Sequence, residues 1–191
     1  HAKGFARERG NFSTTVSTIT PTKTMYDNKS RPVKVILPDN STNETEFKVD
    51  NFNGIPTILS TNTDALGSQS QSHTDVMGRT VASIQFSALG NLVTEFQNNA
   101  LSEISKVIDV NGNVSESSYD WLGRRLLYKH PDAGTTEIEY DLASNMTKRI
   151  TSQIKETMPT GRITYEYEYN RLEAIKYPKN PQNNITYHYG K

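Results

Sequence analysis

Short runs along the chain alternate strictly between apolar and polar positions. Thr136, Ile138 and Tyr140 alternate with Glu137 and Glu139, and Tyr165, Tyr167 and Tyr169 alternate with Glu166 and Glu168. A period of two puts every second side chain on the same face of an extended strand, leaving one face dry and the other wet. No segment sustains the period of a long amphipathic helix. The pattern predicts an all-β chain of antiparallel strands ~5–8 residues long, with helix a minor component.

Turn signals separate these runs, and the signals repeat. Tyr119-Asp120-Trp121-Leu122-Gly123-Arg124 is followed by a strand over 124–128, then by Pro131-Asp132-Ala133-Gly134 and a second strand. Tyr140-Asp141 restarts the pattern 21 residues after Tyr119-Asp120. A repeat of roughly 20 residues suits two strands and two turns. Asp120 and Gly123 take the first and fourth places of a tight turn, where a carboxylate accepts backbone N–H groups and glycine tolerates positive φ. In the return turn Pro131 fixes φ and Gly134 supplies the left-handed residue.

Weaker copies surround this unit. Tyr26-Asp27 opens one that Pro38-Asp39-Asn40 closes; Thr74-Asp75 with Gly78-Arg79 opens another, and Phe86-Ser87 with Gly90 a third. Asp109-Val110-Asn111-Gly112 has the character of a return turn. Ser30 and Ser144 stand where glycine is expected, Thr74 and Phe86 replace Tyr, and Ser87 replaces Asp, so looser turns are expected there. Residues 67–72 read as a polar loop, and 98–103 as a longer excursion or a single helical turn. Residues 1–25 form an N-terminal segment, strand or tail, and 26–191 one extended repeat sheet with no clean boundary, an internal piece of a longer chain.

Composition narrows the function classes. Hydrophobic residues make up only 34%, and ten of the aromatics are Tyr, which favours half-solvated strands. Lys and Arg (21) balance Asp and Glu (21), so no basic field exists to draw nucleic acid. No run approaches the ~18 apolar residues of a membrane-spanning helix. The absence of cysteine removes disulfides, thiolate metal sites and cysteine nucleophiles.

Candidate chemistry is sparse. His1, His73, His130 and His188 show no ligand spacing, and Asp109 to Asn113 lacks the downstream acid of a calcium loop. No nucleophile elbow or phosphate loop is present. Glu137, Glu139, Glu166 and Glu168 read as solvated strand faces rather than a converging carboxylate pair. The tyrosines at 165, 167, 169, 187 and 189 read as a packed sheet face, with sugar stacking as the second use of such a stripe. Seven Asn-x-Ser/Thr sequons, Asn28, Asn113 and Asn184 among them, follow from the abundance of Asn and Thr. No enzyme activity, cofactor or metal is expected.

Tyr119-Asp120-x-x-Gly123-Arg124, Pro131-Asp132-x-Gly134 and Tyr140-Asp141 together resemble the YD repeat of RHS proteins. So do Tyr26-Asp27, Asp75-x-x-Gly78-Arg79 and Tyr169-Asn170-Arg171-Leu172 leading to Tyr177-Pro178. The combination is similar to the shell region of Tc-type toxin B components and bacterial RHS polymorphic toxins. The resemblance implies a long spiral of β-hairpins wound into a hollow cocoon that encloses a toxin or effector domain, in a secreted or cell-surface bacterial protein. Its partners would be flanking YD repeats, of the same protein or another chain of the assembly, and the enclosed domain. No counterpart of the family's self-cleaving segment is found. The alternative is an extracellular adhesion or glycan-binding module built on the same sheet.

Overall fold

A computed structural model describes residues 20–190 and the backbone of two short paired strands, β1 (Arg7–Glu8) and β2 (Asn11–Phe12). The expectation for residues 1–25 therefore lies mostly outside the described residues. The chain divides into two compact units, His1–Val93 and Thr94–Lys191.

Unit one carries β3 (Lys23–Tyr26), β4 (Pro32–Ile36), β5 (Thr42–Phe52), β6 (Ile55–Thr63), β7 (Gln69–Asp75) and β8 (Thr80–Gln85). Each pairs antiparallel with the next. Its buried residues lie on the central strands: Thr57 and Leu59 on β6, His73 and Asp75 on β7, and Val81 and Ala82 on β8. Register puts Thr57 opposite Asp75, Leu59 opposite His73 and His73 opposite Ala82, so these five share one face. His73 is held there by Thr57 Oγ1, 3.1 Å from its Nδ1, and by the Phe52 ring, 4.9 Å between centroids.

Unit two begins within β9 (Leu92–Asn98) and continues through β10 (Ile104–Ile108), β11 (Val114–Tyr119), β12 (Arg125–His130), β13 (Gly134–Tyr140) and β14 (Met146–Thr151). A short helix, α1 (Ser152–Thr157), interrupts the pattern before β15 (Ile163–Glu168), β16 (Arg171–Lys176) and β17 (Ile185–Thr186). Thr151 caps the helix through its hydroxyl. Successive strands again pair antiparallel.

The period-two pattern sorts unit two into unlike faces. Following the register, Lys106, Glu116, Lys129, Glu139 and Lys148 lie on one face; Phe96, Val107, Tyr128, Ile138, Tyr165 and Ile175 lie on the other. Neither face is closed: Ala174 is the one buried apolar side chain among the described residues of this unit. Cohesion rests on backbone ladders, each bond contributing ~0.5–1.5 kcal/mol, and on what the turns add.

Two expectations are corrected. Residues 67–72 are not a loop: Gly67 closes a tight turn and Gln69 starts β7. Residues 98–103 form a tight hairpin turn rather than an excursion or helical turn. In both places polar side chains hid regular structure, since a strand with half-solvated faces accepts Gln and Ser.

Candidate functional site: stacked hairpin turns

One five-residue turn recurs along the chain. At 120–124 the N–H of Asp120 donates to the carbonyl of Arg124 at 2.9 Å, and that of Gly123 to the carbonyl of Asp120 at 3.1 Å. Gly123 sits at φ +79°, and the strand pairing shifts register between Ser118 and Tyr119. These are the marks of a type I turn closed by a left-handed residue and a bulge. The same closing pair of bonds occurs at 27–31, 37–41, 64–68, 75–79, 99–103, 109–113 and 141–145.

The first side chain locks the loop. Asp120 Oδ1 accepts the N–H of Leu122 and of Arg124, both at 2.9 Å, while Oδ2 accepts Arg124 Nε at 2.6 Å. Asp27 and Asp75 repeat this with Arg31 and Arg79. Asp109 and Asp141 use the amides of Asn113 and Asn145 in place of a guanidinium. At 99–103 the polarity reverses: the Asn99 side-chain amide donates to Glu103 at 2.6 Å. Asp109 to Asn113, which joins β10 to β11 at the same strand end as the 130–134 return turn, thus shares the frame of the other turns.

These bonds set the carboxylates' acidity. At Asp75 the Arg79 guanidinium, then its N–H, hold the carboxyl below the usual range. At Asp27 the N–H of Arg31 leads; at Asp109 and Asp141 the side-chain amide of the fifth residue leads. At Asp120 partial burial is the largest influence and pushes upward. The N–H and guanidinium of Arg124 and the N–H of Leu122 together outweigh it, leaving a net lowering.

The serines expected to loosen their turns do not at two sites. Ser30 (φ 60°) and Ser144 (φ 69°) occupy the left-handed position and donate their N–H at 3.1 and 3.2 Å. The aspartate bonds around them offset the backbone strain. Where Ser87 replaces Asp, its hydroxyl accepts only the N–H of Leu89, at 3.2 Å, and donates to the carbonyl of Gly90. The 130–134 turn uses His130: its Nδ1 accepts the N–H of Asp132 at 3.2 Å and Gly134 takes φ +69°. Asp132 itself points outward, 93% exposed.

Turns at the same end of the strands are joined. Arg124 Nη1 donates to the carbonyl of Asp141 at 2.8 Å, and its guanidinium lies 4.9 Å from the Tyr140 ring centroid. Asn145 Nδ2 donates to Asn170 Oδ1 at 3.0 Å. Tyrosine hydroxyls tie each strand to the one after the preceding turn: Tyr119 to the carbonyl of Ile104, Tyr167 to Met146 and Tyr189 to Leu172, at 2.8–3.0 Å. In unit one Arg31 lies 3.9 Å over Phe47. Tyr-Asp and Gly-Arg thus form one constellation: Asp builds the turn and aims Arg, while Tyr receives the Arg of the previous turn or anchors the strand before it.

Of the four strand acids singled out in the sequence, three are matched by lysines. Lys148 pairs with Glu139, Lys155 with Glu137 and Lys176 with Glu166. No cluster of three metal-ligating side chains occurs among the described residues. A shallow concavity is lined by Tyr169, Arg171, Glu173, Tyr187, His188 and Tyr189. No helix among the described residues is long and apolar enough to cross a membrane.

The sequence matches no protein-family model, and no curated protein matches it. Solved structures do match. One is the crystal structure of TcdB2-TccC3-Cdc42, with TM-score 0.62 and 18% identity over 89% of this chain. The Photorhabdus luminescens Tc holotoxin pore matches with the same values. TcdB2-TccC3 without its hypervariable C-terminal region matches at TM-score 0.62 and 19% identity over 86% of this chain. This chain spans 9% of the length of each matched chain. Its fold, an antiparallel hairpin sheet, is that of a stretch of these Tc toxin chains.

Proposed function

We propose that this chain is a wall segment of an RHS/YD-repeat shell, a structural scaffold that helps enclose a toxin or effector domain of a longer, secreted bacterial protein. The recurring five-residue turns, joined to one another in unit two, carry this reading. They stiffen a sheet that has little buried core, which a wall needs and a catalytic pocket does not. The unlike faces of unit two suit a wall with one side toward water, and the fold likeness to Tc toxin chains supports the same role. Its partners are then flanking YD repeats, of its own chain or another of the assembly, and the enclosed domain. The lysine pairs of Glu137, Glu139 and Glu166 and the contacts that hold His73 and His130 favour a non-catalytic chain. The test is protease protection in the full-length protein. The enclosed segment should survive digestion until the shell is opened with denaturant. Equal digestion before and after opening contradicts enclosure.

The concavity around Tyr169, Tyr187 and Tyr189 favours a second reading, glycan binding, because exposed rings beside Arg171 and Glu173 suit sugar stacking and hydroxyl recognition. A glycan array distinguishes it: a hit lost in Tyr187→Ala would favour the module over the wall.

A further inference from the structure

Four consecutive turns stand in a row at one end of unit two: 99–103, 120–124, 141–145 and the Tyr169-Asn170 turn, which join β9 to β10, β11 to β12, β13 to β14 and β15 to β16. Their frames are satisfied internally, so the residues at their tips are free of any folding task. Such tips ordinarily take Pro, Ser, Asp, Asn or Gly. Here they are Ala100-Leu101, Trp121-Leu122, Leu142-Ala143 and Tyr169. Leu101 is 63% exposed, Trp121 83%, Tyr169 93%, and Leu142 fully so. The opposite ends of these strands carry Val110-Asn111, Pro131-Asp132, α1 and Lys179; Val110 is 49% exposed but is followed by polar or proline tips, so the run of four successive apolar tips is at the first end.

The row is rigid and regular. Arg124 ties the second turn to the third, and Asn145 ties the third to the fourth. Tips recur every second strand, about 9.5 Å apart, giving a row of about 30 Å. A surface with that spacing is matched best by another of the same spacing. The order of side chains supplies the rest: Leu, Trp, Leu, Tyr. About a twofold axis between the second and third turns, Trp121 meets Leu142 of the second copy, and Leu101 meets Tyr169 of the second copy. Each large ring then faces an aliphatic chain, the self-complementarity that an isologous interface requires. Near the axis Asp120 is paired with Arg124, and the Asp141 carboxylate is held by the N–H and side-chain amide of Asn145 within its own turn.

We propose that this row of turn tips is a self-association surface, on which two copies of the chain pack tip to tip about a twofold axis. The proposal is independent of shell enclosure, since it concerns strand ends and not the faces or outer strands. The contact is smaller than the ~800 Å² per partner of a standard interface, so association is weak and reversible.

Sedimentation equilibrium of the 191-residue chain tests it. The chain should show a concentration-dependent monomer–dimer equilibrium. Leu142→Glu should stay monomeric with unchanged circular dichroism, and Val110→Glu, at the opposite end, should still dimerise. The chain lacks cysteine, so engineered pairs read the register. Leu122→Cys mixed with Ala143→Cys should form a mixed disulfide dimer on oxidation, and Ala100→Cys mixed with Ala143→Cys should not. A wild-type chain monomeric throughout, or a dimer indifferent to Leu142→Glu, overturns the proposal. So does cross-linking of the second mixture in preference to the first. Leu142-dependent binding to phosphatidylcholine vesicles by a chain that stays monomeric in water would assign the row to lipid instead.

Discussion

Asp75 shows the governing chemistry at the scale of a residue. Its side chain is 5% exposed, yet it is charged and bonded to two backbone N–H groups and a guanidinium. A carboxyl whose pKa is lower folded than unfolded adds stability that is complete above the unfolded pKa and is lost as pH falls through the folded one. Asp27, Asp75, Asp109, Asp120 and Asp141 all have lowered values. Thermal stability should therefore hold from neutrality down to the ordinary carboxylate range, ~4, and fall steeply below it. Melting followed against pH checks this, and a flat profile to below that range would contradict it. Asp75→Asn removes the charge and one acceptor, and should flatten part of the profile. Gly78 offers a test without charge. Its φ is +79° with open space around it, so Gly78→Val isolates backbone strain and should destabilise by about 1–2 kcal/mol in denaturant unfolding. Gly78→Asn should lose far less, because Asn adopts that conformation readily.

The hairpin is the element that matters, and its coupling to the next hairpin runs through arginine. Arg124→Lys keeps the charge but loses the planar fork that reaches Asp120, the carbonyl of Asp141 and the Tyr140 face at once. Amide exchange at Ser144 and Asn145 should quicken several-fold in this variant, while exchange in β6 and β7 stays unchanged; equal protection everywhere would mean the turns act separately. Sequence reading found the 120–124 and 75–79 turns because Asp and Gly announce them. It read Arg124 as the start of a strand, since the bond from its guanidinium back to Asp120 has no trace in spacing. The turn at 99–103 escaped it because Asn99 performs the work of aspartate and Ser102 takes a left-handed φ of 66° without glycine. At 130–134 Pro131 and Gly134 announce the turn, and only the part His130 plays in holding it left no signal. The helix α1 left little signal, being six residues long with no buried side chain. Strand alternation, by contrast, was legible where the faces differ, as at Glu137 and Ile138, and faded over the Ser, Thr and Gln of β7.

At the scale of the molecule, the sheets are stiffened by their turns but incomplete. Unit two exposes an aromatic-rich face and ends in β17, two residues long, whose outer side has no strand partner among the described residues. Unpaired backbone groups on an outer strand invite another strand. Circular dichroism of the isolated chain should be dominated by β-structure with little helix, and a helical spectrum would contradict the fold itself. The central claim, that this is a stretch of continuous wall, meets its most direct test in cryo-electron microscopy of the full-length protein. The account predicts that β3 and β17 are each hydrogen-bonded to further strands, with Asp-x-x-Gly turns continuing the row on either side. A map showing this chain as a separate module, with both outer strands capped by its own segments, would contradict it.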